Sequence, residues 1–238
     1  MRNCPHCGGL VEENAESCPS CQQPLSAPVP EISGVIAQPG KYLKEGWELF
    51  KLYPGGFVGF TLLFAFIQAF LNYLPWLGGP IGLVIDGPLG AGFYIVSAKL
   101  LQRRTVEFRD FFAGFNFLLP LILVSVISGL LIILGLVFLI LPGIFLMVCY
   151  LFPSFIVIDR RLDFWPAMEL SRQTVQKQWF GFFVFLLLLI LINLGGVLAL
   201  GIGLLVSFPV SACAVAAAYA DIFGLQSDYA GSTPQLRA

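Results

Sequence analysis

The sequence predicts an all-α integral membrane protein: a six-helix bundle of three hairpins with interfacial amphipathic helices, preceded by a small N-terminal zinc ribbon. Hydrophobic residues make up 58% of the 238 residues and charged residues only 11%, whereas about a quarter of a soluble domain is charged. The apolar residues form six runs, each near the ~20 residues that a helix needs to cross the hydrocarbon core. Four cysteines in the first 21 residues form two Cys-x-x-Cys pairs, the pattern behind the ribbon prediction.

Residues 1–25 are predicted to fold around one structural zinc ion, bound by Cys4, Cys7, Cys18 and Cys21. Each Cys-x-x-Cys pair forms a tight turn with both thiolates pointing inward, and two such turns complete a tetrahedron. The pattern resembles the short zinc-ribbon modules at the ends of many bacterial proteins. Residues 26–40 are rich in proline and are expected to form a linker.

The charges of this N-terminal segment argue against binding to nucleic acid. Arg2 is its one cation, against Glu12, Glu13 and Glu16, and such an acidic balance repels phosphate. Because the linker tethers the ribbon beside the membrane, we expect the ribbon to dock a cytoplasmic protein; a ribbon that is only a folded cap is the alternative.

The cations predict the orientation in the bilayer. Once the apolar runs are laid out as spans, every Lys and Arg falls on the same side: Arg2, Lys41, Lys44, Lys51, Lys99, Arg103, Arg104, Arg109, Arg160, Arg161, Arg172, Lys177 and Arg237. Cytoplasmic loops are enriched in Lys and Arg. The sequence thus predicts a multi-pass membrane protein with both termini in the cytoplasm, a membrane domain over 41–224 and a cytoplasmic tail over 225–238. The resemblance of the ribbon to bacterial modules implies that the membrane is a bacterial inner membrane.

An amphipathic segment is expected before each hairpin, at 41–53, 105–115 and 163–178. The first has Leu43, Trp47 and Phe50 on its apolar face, with i,i+4 ion pairs Lys41/Glu45 and Lys44/Glu48 on the polar one. The second has a helical stripe of Phe108, Phe111, Phe112 and Phe115, and the third has Phe164, Ala167, Met168 and Val175. Aromatic faces with flanking cations are typical of helices that lie in the membrane interface.

The spans themselves are predicted at 56–73, 80–101, 117–140, 142–158, 179–200 and 201–223. The second helix of each hairpin contains a proline: Pro88, Pro153 and Pro209. Each removes a backbone hydrogen bond and favours a kink. A bent packing helix is the simpler interpretation, and a transporter-like hinge is the alternative.

Polar residues are sparse in the predicted spans. Asp86 is the acid that lies well inside one, so it is a possible ion or transport site. The preferred interpretation is that it reaches the outer interface or caps a helix segment restarted at Pro88. Gln68 and Asn193 are expected to hydrogen-bond between helices, and small residues along the sixth span predict that it lies centrally in the bundle.

Four cations near the cytoplasmic surface are possible contacts for anionic lipid: Arg103, Arg104, Arg160 and Arg161. Asp159 beside the latter pair is expected to belong to a solvated charge cluster.

Several short motifs carry a family resemblance: Pro88-Leu-Gly-Ala-Gly-Phe-Tyr, Asp110-Phe-Phe-Ala-Gly-Phe, Leu141-Pro-Gly-Ile-Phe, Ile158-Asp-Arg and Ala167-Met-Glu-Leu-Ser. Over roughly residues 40–224 the chain resembles the glycerophosphoryl diester phosphodiesterase membrane-domain superfamily and its stand-alone relatives. The resemblance implies a six-helix membrane domain and no catalytic residue, because the phosphodiesterase domain that some members carry is missing here.

Two functions fit these observations. The favoured one is a non-enzymatic membrane scaffold or regulator whose ribbon docks a partner. The alternative is a transporter or permease for a small solute or lipid that uses the proline-interrupted helices and Asp86. An enzyme is not expected, since one histidine and no paired carboxylates leave no catalytic set.

Overall fold

The computed structural model describes residues 2–3, 10–11, 36–73, 78–199 and 201–226. The chain divides into two units, Met1–Gly34 and Val35–Ala238. In the first unit, strands β1 (Arg2–Asn3) and β2 (Leu10–Val11) pair antiparallel, with Arg2 opposite Val11.

The described part of the second unit is helical. Its elements are α1 (Pro39–Leu52), α2 (Pro54–Asn72), α3 (Gly78–Leu101), the 3-10 helix η1 (Phe108–Phe117), α4 (Leu118–Phe138), α5 (Ile140–Cys149), α6 (Pro153–Arg160), α7 (Phe164–Gln176), α8 (Trp179–Leu198) and α9 (Leu204–Phe223). Six stretches are long and apolar enough to cross a membrane: Pro54–Leu71, Val84–Leu101, Phe108–Phe138, Ile140–Arg160, Trp179–Leu198 and Leu204–Phe223. The prediction of a multi-pass helical membrane protein is confirmed.

Successive spans run antiparallel. Gln68 near the end of α2 meets Asp86 early in α3, and Asn193 near the end of α8 meets Ser207 early in α9. One end of the bundle, where α3, α6 and α9 finish, carries Lys99 and Arg160, and we name it the basic end. The opposite end, at Tyr73, Leu139 and Ala199, is the apolar end.

Burial differs between the two halves of the bundle. Fully buried aromatic rings gather toward the basic end, on α2, α3, η1, α6 and α9: Phe57, Phe93, Phe111, Phe155 and Tyr219. Most exposed aliphatic side chains form a belt in the other half, for example Leu130, Ile133, Leu194, Leu198 and Ile202. Such a belt fits lipid chains, so it is a lipid-facing surface of the spans.

Helix α9 is central, as predicted. It contacts α1, α2, α3 and α8, and most residues from Ser207 to Phe223 are buried. Its run of alanines lets neighbouring helices approach closely.

Helix α1 packs lengthwise along α9, through a face that shares only Phe50 with the predicted apolar face. The buried residues are Tyr42, Gly46, Leu49 and Phe50, whereas Trp47 is exposed. The face with Gly46 is favoured because a helix without a Cβ at that point can approach α9 directly. The expected Lys44/Glu48 pair was also wrong, since Glu48 binds Lys51 at 2.8 Å.

The second amphipathic segment is a 3-10 helix and not an α-helix. Phe111 and Gly114, three residues apart, are its buried residues, in keeping with three residues per turn. Gly114 lies against the carbonyl of Pro88, and Lys99 binds Asp110 at 2.7 Å. Because η1 runs back along α3, it forms the first part of the third span and does not lie flat in the interface.

The third amphipathic segment, α7, largely follows the prediction. Ala167, Met168 and Val175 are buried together with Ser171. Asp163 stands at the N-cap position but makes no side-chain capping bond.

The three prolines differ in effect. The fourth span is interrupted between α5 and α6, with Pro153 as the first residue of α6. Pro88 and Pro209 lie inside continuous helices, as predicted, whereas the position predicted for Pro153 inside a helix was wrong. The boundary between the third and fourth spans, predicted after residue 140, is also displaced, because Leu139 joins α4 directly to α5.

Ser171 explains why the chain tolerates the break. The carbonyl of Cys149 would accept from residue 153 in a continuous helix, and proline has no N–H to donate. The Ser171 hydroxyl donates to that carbonyl at 2.7 Å and accepts from the N–H of Phe152 at 3.3 Å. A buried serine from α7 thus satisfies the backbone groups that the proline leaves free.

Candidate functional site

The four predicted zinc ligands, Cys4, Cys7, Cys18 and Cys21, lie outside the described residues. Within the described ranges, no group of three or more His, Cys, Asp or Glu side chains could hold a metal ion. The two cysteines of the spans, Cys149 and Cys213, are both buried and free. The zinc site remains a prediction from the sequence.

Asp86 is half-buried on α3 and accepts a hydrogen bond from the side-chain amide of Gln68 on α2. Because α3 continues without interruption through Pro88, the prediction that Asp86 caps a restarted helix was wrong. The acid instead ties the first hairpin together toward its apolar end.

Asn193 joins α8 to α9 through two serines. Its side-chain amide donates to Ser211 at 2.7 Å, and its carbonyl oxygen accepts from Ser207 at 3.1 Å. About one turn away, Gly196 and Gly203 allow the backbones to touch, since a Cβ on Gly203 would come 2.7 Å from the Cα of Gly196. The expected interhelical role of Asn193 is confirmed.

Two of the candidate lipid-binding arginines adopt unusual backbone conformations. Arg103 follows α3 with φ 55°, and Arg161 caps α6 with φ 51°. Both side chains are exposed. After α9, Gly224 has the same sign of φ, 67°, so the second helix of every hairpin ends at a left-handed residue near the basic end. Glycine suits that conformation best, and arginine occupies it at a cost.

The other two arginines are less available to lipid headgroups. Arg104 is half-buried and interacts within the chain. Arg160 donates to the carbonyl of Phe223 at 3.1 Å and lies 5.7 Å from the centre of its ring.

Asp159 is not part of a solvated cluster, contrary to the prediction. Its carboxylate is 3% exposed and accepts from the hydroxyl of Tyr219 at 2.9 Å and from the N–H of Gln226 at 3.2 Å. A buried carboxylate needs such donors to offset the loss of water. Asp159 and Arg160 together hold the end of α6 to the end of α9.

A second polar contact at the basic end joins α1 to α9. Lys41 binds Asp221 at 2.6 Å, and the hydroxyl of Tyr42 donates to the same carboxylate at 3.0 Å. Burial, together with the bond to Asp221, raises the pKa of Tyr42 to about 12. The hydrogen bond to Asp221 also raises the pKa of Lys41. Sequence reasoning missed Tyr42, because its partner Asp221 is 179 positions away and no local pattern joins the two.

Comparisons of the chain with protein-family models, curated proteins and solved structures give no match. The resemblance drawn from the short motifs therefore stays a prediction, and the function has to be argued from the residues themselves.

Proposed function

We propose that this chain is a non-enzymatic scaffold or regulator of the bacterial inner membrane, with both termini in the cytoplasm and an N-terminal zinc ribbon that docks a cytoplasmic protein. The observation that carries the proposal is the use made of the polar side chains inside the spans. Gln68 binds Asp86, Asn193 binds Ser207 and Ser211, so these groups join helices to each other. Packing of this kind suits a stable platform.

The ribbon supplies the specificity in this proposal. Cys4, Cys7, Cys18 and Cys21 have the spacing of a closed four-thiolate zinc site, which stabilises a fold and leaves no coordination position for substrate. A segment this short depends on its metal for folding. Removing two ligands should therefore unfold the ribbon and leave the bundle intact.

The test is co-purification of crosslinked partners from native membranes, comparing the intact chain with Cys4→Ser/Cys7→Ser. Cys149→Ser/Cys213→Ser is the matched control, because it removes two buried cysteines of the spans. We expect the first variant to lose its bound zinc and its cytoplasmic partner while remaining in the membrane, and the control to keep both. A partner set unchanged in the first variant would refute docking by the ribbon.

A further inference from the structure

A groove on the bundle surface has the features of a lipid site. It lies between α8 and α9, is bounded on one side by Tyr94 of α3, and has a volume of about 490 Å³. Volumes of about 300–1,000 Å³ with apolar walls and a few polar groups are usual for small-ligand sites. Here the walls are mostly aliphatic, and Asn193 and Ser211 contribute polar atoms.

The surroundings of the groove determine what can reach it. Ile190, Leu194 and Val197 form its rim on α8 and are 49–51% exposed. They belong to the aliphatic belt of the apolar half. A groove that opens sideways through such a belt is open to hydrocarbon, so an acyl chain is the molecule that meets it.

Tyr94 supplies a polar contact in this groove. Its ring packs against that of Phe155 of α6, with the centroids 4.1 Å apart and the planes tilted by 33°, which restricts the direction of the side chain. In the part of the chain that the structure describes, its hydroxyl has no hydrogen-bond partner, whereas Asn193 and Ser211 bind each other.

The depth of Tyr94 matches the ester region of a glycerolipid. Tyr94 lies five residues before Lys99 on α3, about 7.5 Å of helix rise, and the pair Lys99–Asp110 marks the polar level at the basic end. From that level the groove continues past Asn193 to Val197 and Phe208 in the belt. An acyl chain in the groove would therefore place its ester group beside the tyrosine.

We propose that the α3/α8/α9 groove binds one acyl chain of a membrane diacylglycerolipid and that the hydroxyl of Tyr94 donates a hydrogen bond to its ester carbonyl. The site is independent of partner docking by the ribbon, so either proposal can fail without the other. No bond is made or broken, and the lipid acts as a bound structural or regulatory ligand.

The first test locates the lipid. The full chain is placed in nanodiscs with a diester phosphatidylglycerol that carries a photoactivatable diazirine in one acyl chain, and labelled peptides are identified by mass spectrometry. We expect labels to concentrate on α8 and α9 around the groove. Ile190→Trp should lower this labelling about five-fold or more by filling the groove. Leu191→Trp, at an equally exposed position outside the groove (52% against 49%), should leave it unchanged.

The second test addresses the hydrogen bond. Unlabelled diester and diether phosphatidylglycerols of equal chain length compete with the photolipid, since the diether lacks the carbonyl. In the unmodified chain the diester should compete about two- to ten-fold better, the worth of one net hydrogen bond. Tyr94→Phe, which keeps the ring, should abolish the difference.

Three outcomes would overturn the proposal. Labels spread evenly around the bundle would show ordinary lipid contact. Equal loss of labelling in the two tryptophan variants would show a general surface effect. Crosslinks through this groove between two copies of the chain would assign the surface to a dimer.

Discussion

Gly46 on α1 lies directly against the backbone of Ala214 on α9: a Cβ at position 46 would come within 2.6 Å of the Ala214 nitrogen. Since that neighbour is backbone, α1 has to move away to accommodate even one methyl group. We expect Gly46→Ala to lower the free energy of unfolding by about 1–3 kcal/mol, as overpacking does. Thermal and denaturant unfolding of the detergent-purified protein measures the change.

Gly40 provides the control for that experiment. It lies on the same helix, and nothing is within 4 Å of a Cβ added there. Gly40→Ala should be neutral or stabilising by up to ~1 kcal/mol, because alanine loses less backbone entropy on folding. Equal effects of the two substitutions would mean that α1 does not pack on α9 through Gly46.

The contacts of Lys41 and Tyr42 with Asp221 predict a loss of stability at high pH. The folded pKa of Tyr42, about 12, lies above the ordinary value of about 10. Its contribution is therefore complete below pH 10 and is lost as the pH rises through 12. The raised pKa of Lys41 acts in the same direction. Unfolding midpoints measured between pH 8 and 12.5 should fall over the upper part of this range.

A tyrosine variant isolates the share of Tyr42 in that pH dependence. Tyr42→Phe should lower stability at neutral pH and flatten the decline above pH 10, because the hydroxyl that titrates is gone. Tyr73→Phe serves as control, since Tyr73 is 84% exposed at the apolar end. A decline of the same steepness in Tyr42→Phe would place the titrating group elsewhere.

The spans and the central position of α9 follow from hydrophobic patterning, and the sequence predicts them well. Length, apolar content and small residues act along one helix and need no knowledge of neighbours. The pairing of Asn193 was also predictable, because a lone amide in hydrocarbon has to bind another helix.

The structure departs from the sequence-based predictions where a neighbouring helix determines which side chains are buried or where a helix is interrupted. The pattern of α1 permits either Trp47 or Gly46 to face inward, and the close approach of Ala214 selects Gly46. The burial of Asp159 depends on Tyr219, which is 60 positions away in sequence, and on Gln226, which is 67 positions away. The helix is interrupted at Pro153 but continues through Pro88 and Pro209. The interruption therefore depends on the surrounding helices and not on proline itself.

Ser171 is predicted to be essential for the interruption of the fourth span. Ser171→Ala leaves the carbonyl of Cys149 and the N–H of Phe152 without the partner they have now, at a cost of about 1–3 kcal/mol. Ser154→Ala, at the break itself, should have little effect. Restoring an N–H at position 153 gives a sharper check: Pro153→Ala should recover part of the stability in the Ser171→Ala background. Additive effects of the two substitutions would show that they do not share a backbone partner.

Arg103 and Arg161 have positive φ and exposed side chains. Their positive charges can therefore be removed without loss of packing. Arg103→Gly and Arg161→Gly should each raise the free energy of unfolding by up to ~1 kcal/mol, because glycine adopts a φ near +50° without strain. If these side chains bind anionic headgroups, the double variant should also retain less phosphatidylglycerol in native mass spectrometry. Arg172→Gln is the comparison, since Arg172 is held by Glu169 at 2.7 Å. Unchanged lipid retention in the double variant would remove Arg103 and Arg161 from the lipid contacts.

Variants of Asp86 distinguish the proposed scaffold function from the transporter alternative. If it serves only to bind Gln68, Asp86→Asn should unfold with nearly the same free energy, because the amide oxygen still accepts the bond. Gln68→Leu should be the more damaging change, since it leaves a half-buried carboxylate without that donor.

A transport path predicts instead that water reaches position 86 from outside the bundle. We expect Asp86→Cys to resist a charged thiol reagent that labels Tyr73→Cys at the exposed apolar end. Rapid labelling of Asp86→Cys would favour the transporter, because a charged reagent can reach that depth only through an aqueous path.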